Sequence, residues 1–203
     1  MTFGFLALGD SYTIGEGVAP GERWPVQLAA RLRGEGVDVA DPQIVATTGW
    51  TTDELSAAMD AGTFVPRYDL VTLLIGVNDQ YRGRPLDEYR RQFRDLLQRA
   101  IELAEAKPAH MIVVSIPDWG VTPFAAHEVR DRARIGREID AFNAVASAET
   151  GNAGAAWVDV TSISRRAESR EELVGDGLHP SGAQYARWTG AILPIARDVL
   201  RGD

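Results

Sequence analysis

Short apolar runs alternate with amphipathic segments along all 203 residues of the chain. Residues 3–8 form an apolar run stopped by Gly9, which predicts a buried strand. Residues 24–33 predict a helix ended by Gly34 and Gly36, and residues 43–47 a second strand. Thr51 and Glu54 then stand at the spacing of a helix capping box. The strongest strand signal is 68–75, YDLVTLLI, rich in leucine and β-branched residues. Across residues 86–106, Leu86, Tyr89, Phe93, Leu96, Leu97, Ala100 and Leu103 recur at three- and four-residue steps, so they line one helical face. A fourth strand is predicted at 111–116, closed by Pro117, followed by a long charged helix over 125–150 and a fifth strand at 155–160. Ser181 and Gln184 again have capping-box spacing and predict the start of a final helix running to about residue 200.

No internal repeat, low-complexity tract or linker interrupts this pattern, so one domain over residues 1–203 is expected. Five strands alternating with helices predict an α/β fold: a three-layer αβα sandwich around a five-stranded parallel sheet, flavodoxin-like in kind. In such sheets, sites form in the loops beyond the carboxyl ends of the strands. Four loops pass that filter: Gly9-Asp10-Ser11-Tyr12, Thr48-Gly49-Trp50, Gly76-Val77-Asn78-Asp79 and Asp176-Gly177-Leu178-His179-Pro180.

Composition narrows the chemistry. With 29 acidic against 21 basic residues the net charge is −8, which disfavours nucleic acid or an anionic membrane as partner. No cysteine is present, which excludes disulfides, thiolate zinc sites and cysteine nucleophiles. No stretch approaches the roughly 18 apolar residues of a membrane span. The N-terminal apolar run is too short for a signal peptide and leads straight into a candidate loop, so a cytoplasmic protein is expected. His110 and His127 do not pair at any metal-ligand spacing, and each reads as structural or solvated. The chain has no Gly-x-Ser-x-Gly, and its one lysine, Lys107, lies in no P-loop.

A serine hydroxyl needs an adjacent base to become a useful nucleophile, and a histidine serves only if the correct tautomer is held, commonly by a carboxylate. Asp176 and His179 are three residues apart in a glycine-containing loop, so one turn can set the carboxylate against one ring nitrogen and leave the other outward. Ser11 is then the candidate nucleophile. The tetrahedral intermediate also requires donors for its oxyanion. The backbone N–H groups of Ser11 and Gly49 and the side-chain amide of Asn78 can supply them, Gly49 because a residue without Cβ allows close approach of the backbone.

These four blocks, in this order and over nearly the whole chain, resemble the GDSL, or SGNH, hydrolase superfamily. The resemblance implies a serine esterase with Ser11 as nucleophile, His179 as base and Asp176 as the residue that orients it. It also implies an oxyanion hole of Ser11, Gly49 and Asn78; no cofactor and no metal are expected, because three scattered histidines and no cysteine make a poor metal site. The first block reads Gly-Asp-Ser-Tyr where the family name has leucine after serine. In the second, Thr47-Thr48-Gly49 replaces the frequent Asn-x-Gly. Members of the family hydrolyse lysophospholipids, thioesters, acetylated sugars and simple aryl esters. The compact loops here lead us to expect a small-molecule ester with a short acyl group, with Tyr12, Trp50 and Trp119 lining the pocket and Asp10 and Asp79 serving in loop hydrogen bonds. The residues alone leave two rivals: a flavodoxin-like module whose first loop cradles a phosphate or flavin, and a metal-dependent phosphoesterase with Asp10, Asn78, Asp79, Asp176 and His179 as ligands.

Overall fold

A computed structural model describes residues 2–65 and 67–202. Among them, five strands form one sheet in which every pairing is parallel: β1 (Phe5–Gly9), β2 (Gln43–Ala46), β3 (Leu70–Leu74), β4 (Met111–Val114) and β5 (Ala156–Val158), in the order β2-β1-β3-β4-β5. This is the doubly wound order in which the chain reverses direction beside β1 and β3. All five residues of β1 and of β3 are buried, as their nearly all apolar sequences, broken only by Thr72 in β3, predict. A single leucine so buried contributes roughly 1.5–3 kcal/mol.

The helices are α1 (Ser11–Ile14), α2 (Trp24–Gly34), α3 (Thr52–Ala61), α4 (Val77–Tyr81), α5 (Leu86–Leu103), α6 (Arg132–Ala153), α7 (Thr161–Ser164) and α8 (Gly182–Arg201). Helix α2 packs with α8, and α5 packs with α3 and α6, the two groups that right-handed crossovers place on opposite faces of the sheet. On the first face α2 packs along α8, burying Trp24, Leu28, Tyr185 and Trp188. On the second, the apolar stripe of α5 meets α6, with the rings of Tyr89 and Phe142 4.6 Å apart. Among the described residues no helix is long and apolar enough to cross a membrane.

Two helical expectations change. The charged segment over 125–150 is not one helix: a single 3₁₀ turn (Phe124–His127) precedes a bent segment over 128–131, and α6 begins only at Arg132. The Asp131 carboxylate accepts from the Arg134 N–H and starts α6 there. At α8, Ser181 occupies the cap position but makes no side-chain cap bond. Gln184 is buried and donates instead to the carbonyls of Ser169 and Glu172, tying α8 to the preceding loop. The Thr51–Glu54 capping box does form, with Glu54 Oε2 2.9 Å from the Thr51 N–H.

The register decides where chemistry can gather. Gly9 lies opposite both Ala46 and Leu74, so β1, β2 and β3 end side by side. The loops that follow them therefore emerge together, although Ser11, Gly49 and Asn78 are far apart in sequence.

Candidate active site

Gly9 sets the first element. A Cβ there would fall 2.2 Å from Thr13 Oγ1 and 2.6 Å from the Leu74 carbonyl oxygen, so only glycine lets β1 turn this tightly into α1 beside β3. The next residue, Asp10, accepts the Tyr12 N–H on Oδ1 at 3.0 Å and starts α1. Ser11 is the first residue of that helix and is buried except at the cavity it lines.

The second element comes from the far end of the chain. Asp176 Oδ1 accepts the N–H groups of Leu178 (2.8 Å) and His179 (3.0 Å), which folds the loop back on its own aspartate. Bonds from Val174 N–H to the His179 carbonyl and from Ser181 N–H to the Glu172 carbonyl hold both sides of the turn. The same carboxylate places Oδ2 2.6 Å from His179 Nδ1, and His179 Nε2 lies 2.9 Å from Ser11 Oγ. The Tyr12 ring supports the imidazole from one side, 5.5 Å between centroids. Partial burial would raise the Asp176 pKa, but the His179 ring and the two backbone donors outweigh it and hold the carboxyl below its ordinary value. It is therefore a carboxylate at neutral pH. A carboxylate on one ring nitrogen and a serine hydroxyl on the other is an arrangement that can move a proton off the hydroxyl.

The third and fourth elements face this pair. Thr47 to Trp50 make a turn closed by a 3.3 Å bond from Trp50 N–H to the Thr47 carbonyl, with Gly49 at φ +87°. That left-handed value at the third turn residue favours glycine. Neither the Ser11 N–H nor the Gly49 N–H donates to any protein group among the described residues. Asn78, in α4, gives one amide hydrogen to the Trp50 carbonyl at 2.8 Å, and a primary amide has a second to offer. Ser11, Gly49, Asn78 and His179 all line one cavity of about 200 Å³, whose other wall is apolar: Val77, Tyr81, Trp119, Phe124 and Leu178.

Of the aromatic residues expected at the pocket, Tyr12 and Trp119 line it and Trp50 does not. The Trp50 ring packs against the core, and only its carbonyl reaches the site. Trp119 is fixed by a 2.8 Å bond from its indole N–H to Gln80 Oε1 and meets the Tyr81 ring edge-on at 5.4 Å. Tyr81, Phe124 and Leu178 are lining residues that sequence reasoning missed, although Leu178 sits inside the Asp-Gly-Leu-His-Pro block. The ligand set of the metal rival is not brought together: among the described residues no three histidine, aspartate or glutamate side chains converge on a point. His127 is exposed, and His110 lies outside the cavity lining.

Two buried carboxyls lie behind the site. Burial, reinforced by the charge of Asp79, lifts Asp10 to a pKa of about 8 despite the Tyr12 N–H, and its Oδ2 has no partner. Burial likewise lifts Asp79 to about 6, partly offset by the hydroxyl and N–H of Thr52 and by Arg84. The folded chain therefore keeps protons that the unfolded chain releases, and stability falls as pH rises from about 4 through 8. For Asp10 the full shift from 3.8 to about 8, at 1.36 kcal/mol per unit, amounts to roughly 6 kcal/mol. Asp10→Asn keeps an acceptor for the Tyr12 N–H and cannot ionise. Its urea midpoint is expected to fall much less between pH 5 and 9 than that of the wild type. An equal fall in both proteins would remove Asp10 as the source.

The model of the GDSL-like lipase/acylhydrolase family matches residues 7–187. Among solved structures, TesA superposes with a TM-score of 0.73 at 22% identity, covering 96% of this chain and 98% of that one. A lipase/acylhydrolase from Enterococcus faecalis gives 0.73 at 21% identity, covering 97% and 96%. An acetyl xylan esterase from Geobacillus stearothermophilus gives 0.70 at 20% identity, covering 97% of each chain. At these identities the structures show a shared fold. No curated protein sequence matches the chain significantly.

Proposed function

Since the chain belongs to the GDSL-like lipase/acylhydrolase family and is an ester-bond hydrolase, we propose that it works as a serine esterase with Ser11 as nucleophile, His179 as general base and Asp176 as the residue that orients His179. The observation that carries this reading is the continuous chain Ser11 Oγ–His179 Nε2 (2.9 Å) and His179 Nδ1–Asp176 Oδ2 (2.6 Å), opening into a cavity.

With its proton on Nδ1 and donated to Asp176, His179 presents a bare Nε2 to the Ser11 hydroxyl. Ser11 Oγ attacks the ester carbonyl carbon as its proton passes to Nε2, and the carbonyl π pair moves onto oxygen. That oxyanion accepts from the Ser11 N–H, the Gly49 N–H and the second amide hydrogen of Asn78. Collapse re-forms the carbonyl and breaks the bond to the alkoxy oxygen, which leaves as alcohol with the proton from Nε2. Water, deprotonated by His179, then attacks the acyl-enzyme; the acid departs and Ser11 recovers its hydrogen. No step calls for a metal or a cofactor.

The apolar wall from Val77 to Leu178 supports an acyl group on that side, and a cavity of about 200 Å³ supports a short one. The substrate we assign is therefore a small-molecule ester of a short fatty acid or of acetate.

Asn78→Ala tests the oxyanion assignment. A donor that tightens only as charge develops should lower kcat and leave KM little changed. On p-nitrophenyl esters of increasing acyl length, wild type should favour the shorter chains. Asn78→Ala should lose about 10²–10³ in kcat, roughly 3–4 kcal/mol, at a temperature where circular dichroism shows it folded. Wild-type kcat in the folded variant would remove Asn78 from the site.

A further inference from the structure

The second sequence block lacks the asparagine that usually precedes its glycine by two residues; Thr47 stands there instead. The turn carrying Gly49 must then be held from elsewhere, and the structure shows by what. Arg82 Nη2 donates to the Gly49 carbonyl at 2.7 Å, while Nη1 reaches Glu54 Oε1 at a longer 3.3 Å. Asn78, four residues earlier, donates to the next carbonyl, that of Trp50. Residues four apart share a helical face, so α4 and its C-terminal arginine grip two consecutive carbonyls of one turn.

The grip extends further. Asp79 receives the N–H and hydroxyl of Thr52, and Arg84 pairs with Asp53 at 2.6 Å. Asn78, Asp79, Arg82 and Arg84 thus bind Trp50, Thr52, Gly49 and Asp53 along a single seam. Within it only Arg82 acts on Gly49 itself. The turn's own closing bond is long, at 3.3 Å, and among the described residues the Gly49 N–H has no protein partner.

We propose that Arg82 is a positioning residue of the oxyanion hole: it fixes the Gly49 carbonyl and so keeps the Gly49 N–H aimed at the cavity, at a set distance from the Asn78 amide. This rests on the reading of Gly49 and Asn78 as oxyanion donors. A lone surface ion pair to Glu54 would matter little. A charge-assisted bond to a carbonyl is stronger and directional, and here it ties one donor to the segment that carries the other. A donor displaced by a fraction of an ångström loses most in the transition state, where the oxyanion forms.

Arg82 is 44% exposed at its side chain, so its truncation leaves the core intact. Arg82→Ala is expected to lower kcat by about 10- to 100-fold, with KM within about twofold of wild type and slower phosphonylation of the serine. Arg82→Lys should recover part of kcat, because an ammonium group can donate to the Gly49 carbonyl without matching both partners. Asn78→Ala is measured beside them. If Asn78→Ala is slow while Arg82→Ala keeps wild-type kcat, the oxyanion assignment stands and the role of Arg82 falls. If neither variant loses kcat, the oxyanion assignment itself falls. A raised KM with unchanged kcat in Arg82→Ala would also overturn the proposal, since it would make Arg82 a substrate-binding group.

Discussion

His179→Ala should hydrolyse esters at least about 10⁴-fold more slowly than wild type while remaining folded. The His179 Nε2, 2.9 Å from Ser11 Oγ, is the position that takes the serine proton, while Nδ1 is held 2.6 Å from the Asp176 carboxylate that orients the ring. Removing the ring leaves Ser11 with no base and Asp176 with nothing to orient. The informative companion is Asp176→Asn. Asp176 Oδ1 accepts two backbone N–H groups, and in the asparagine only the carbonyl oxygen can do so. The amide nitrogen is thereby turned toward His179 Nδ1, which must now accept. The ring is driven into the tautomer with its hydrogen on Nε2, facing Ser11, where it cannot take a proton. The loop should therefore keep its shape while kcat falls by as much as about 10⁴-fold. Asp176→Ala is a poorer test, because it also strips two bonds from the loop. Stopped assays with circular dichroism on the same samples check both variants. An Asp176→Asn enzyme slower than His179→Ala would mean the two roles are misassigned.

Much of this architecture is legible in the sequence, for a definable reason. β1, β3 and β4 lie inside the sheet, so their sequences are nearly all apolar, and Gly9, Gly76 and Pro117 end the runs. The stripe from Tyr89 to Ala100 in α5 is buried as its spacing required. Three of the four candidate blocks are legible for the same reason, since they follow β1, β2 and β3, which end side by side; the Asp176–Pro180 block instead follows α7 and a 3₁₀ turn and leads into α8. What escaped was set by contacts between distant segments. Helix propensity over 125–150 is high, but the Phe124 N–H bonds to the Gly177 carbonyl and draws this stretch across the histidine loop, leaving α6 to begin at its Asp131 cap. Ser181 and Gln184 have the spacing of a capping box, yet the loop above α8 offers Gln184 two carbonyls that it takes instead. Trp50 looked like a pocket residue because it follows Gly49, whereas it is partly buried and packs against the core. Arg82 gave no signal at all, because it works from the end of a five-residue helix too short to show a period.

The serine itself carries the second large effect. Ser11→Ala should lose essentially all turnover, on the order of the 10⁶-fold seen when a serine nucleophile is removed elsewhere, with substrate binding and fold retained. The change deletes one oxygen from a site whose other groups are held independently: His179 by its own loop, Gly49 and Asn78 by the seam from α4. Residual catalysis would come only from the oxyanion donors acting on water. A drop of merely tenfold would mean that Ser11 assists another nucleophile.

Covalent capture asks the central question most directly. A p-nitrophenyl phosphonate offered to wild type should release one equivalent of nitrophenol and add one phosphonyl mass per chain, and peptide mapping should place it on Ser11. Ser11→Ala should gain no mass, and His179→Ala should gain it far more slowly than wild type. Stoichiometric labelling of any other residue, or an unlabelled wild-type enzyme that still hydrolyses esters, would contradict Ser11 as the nucleophile.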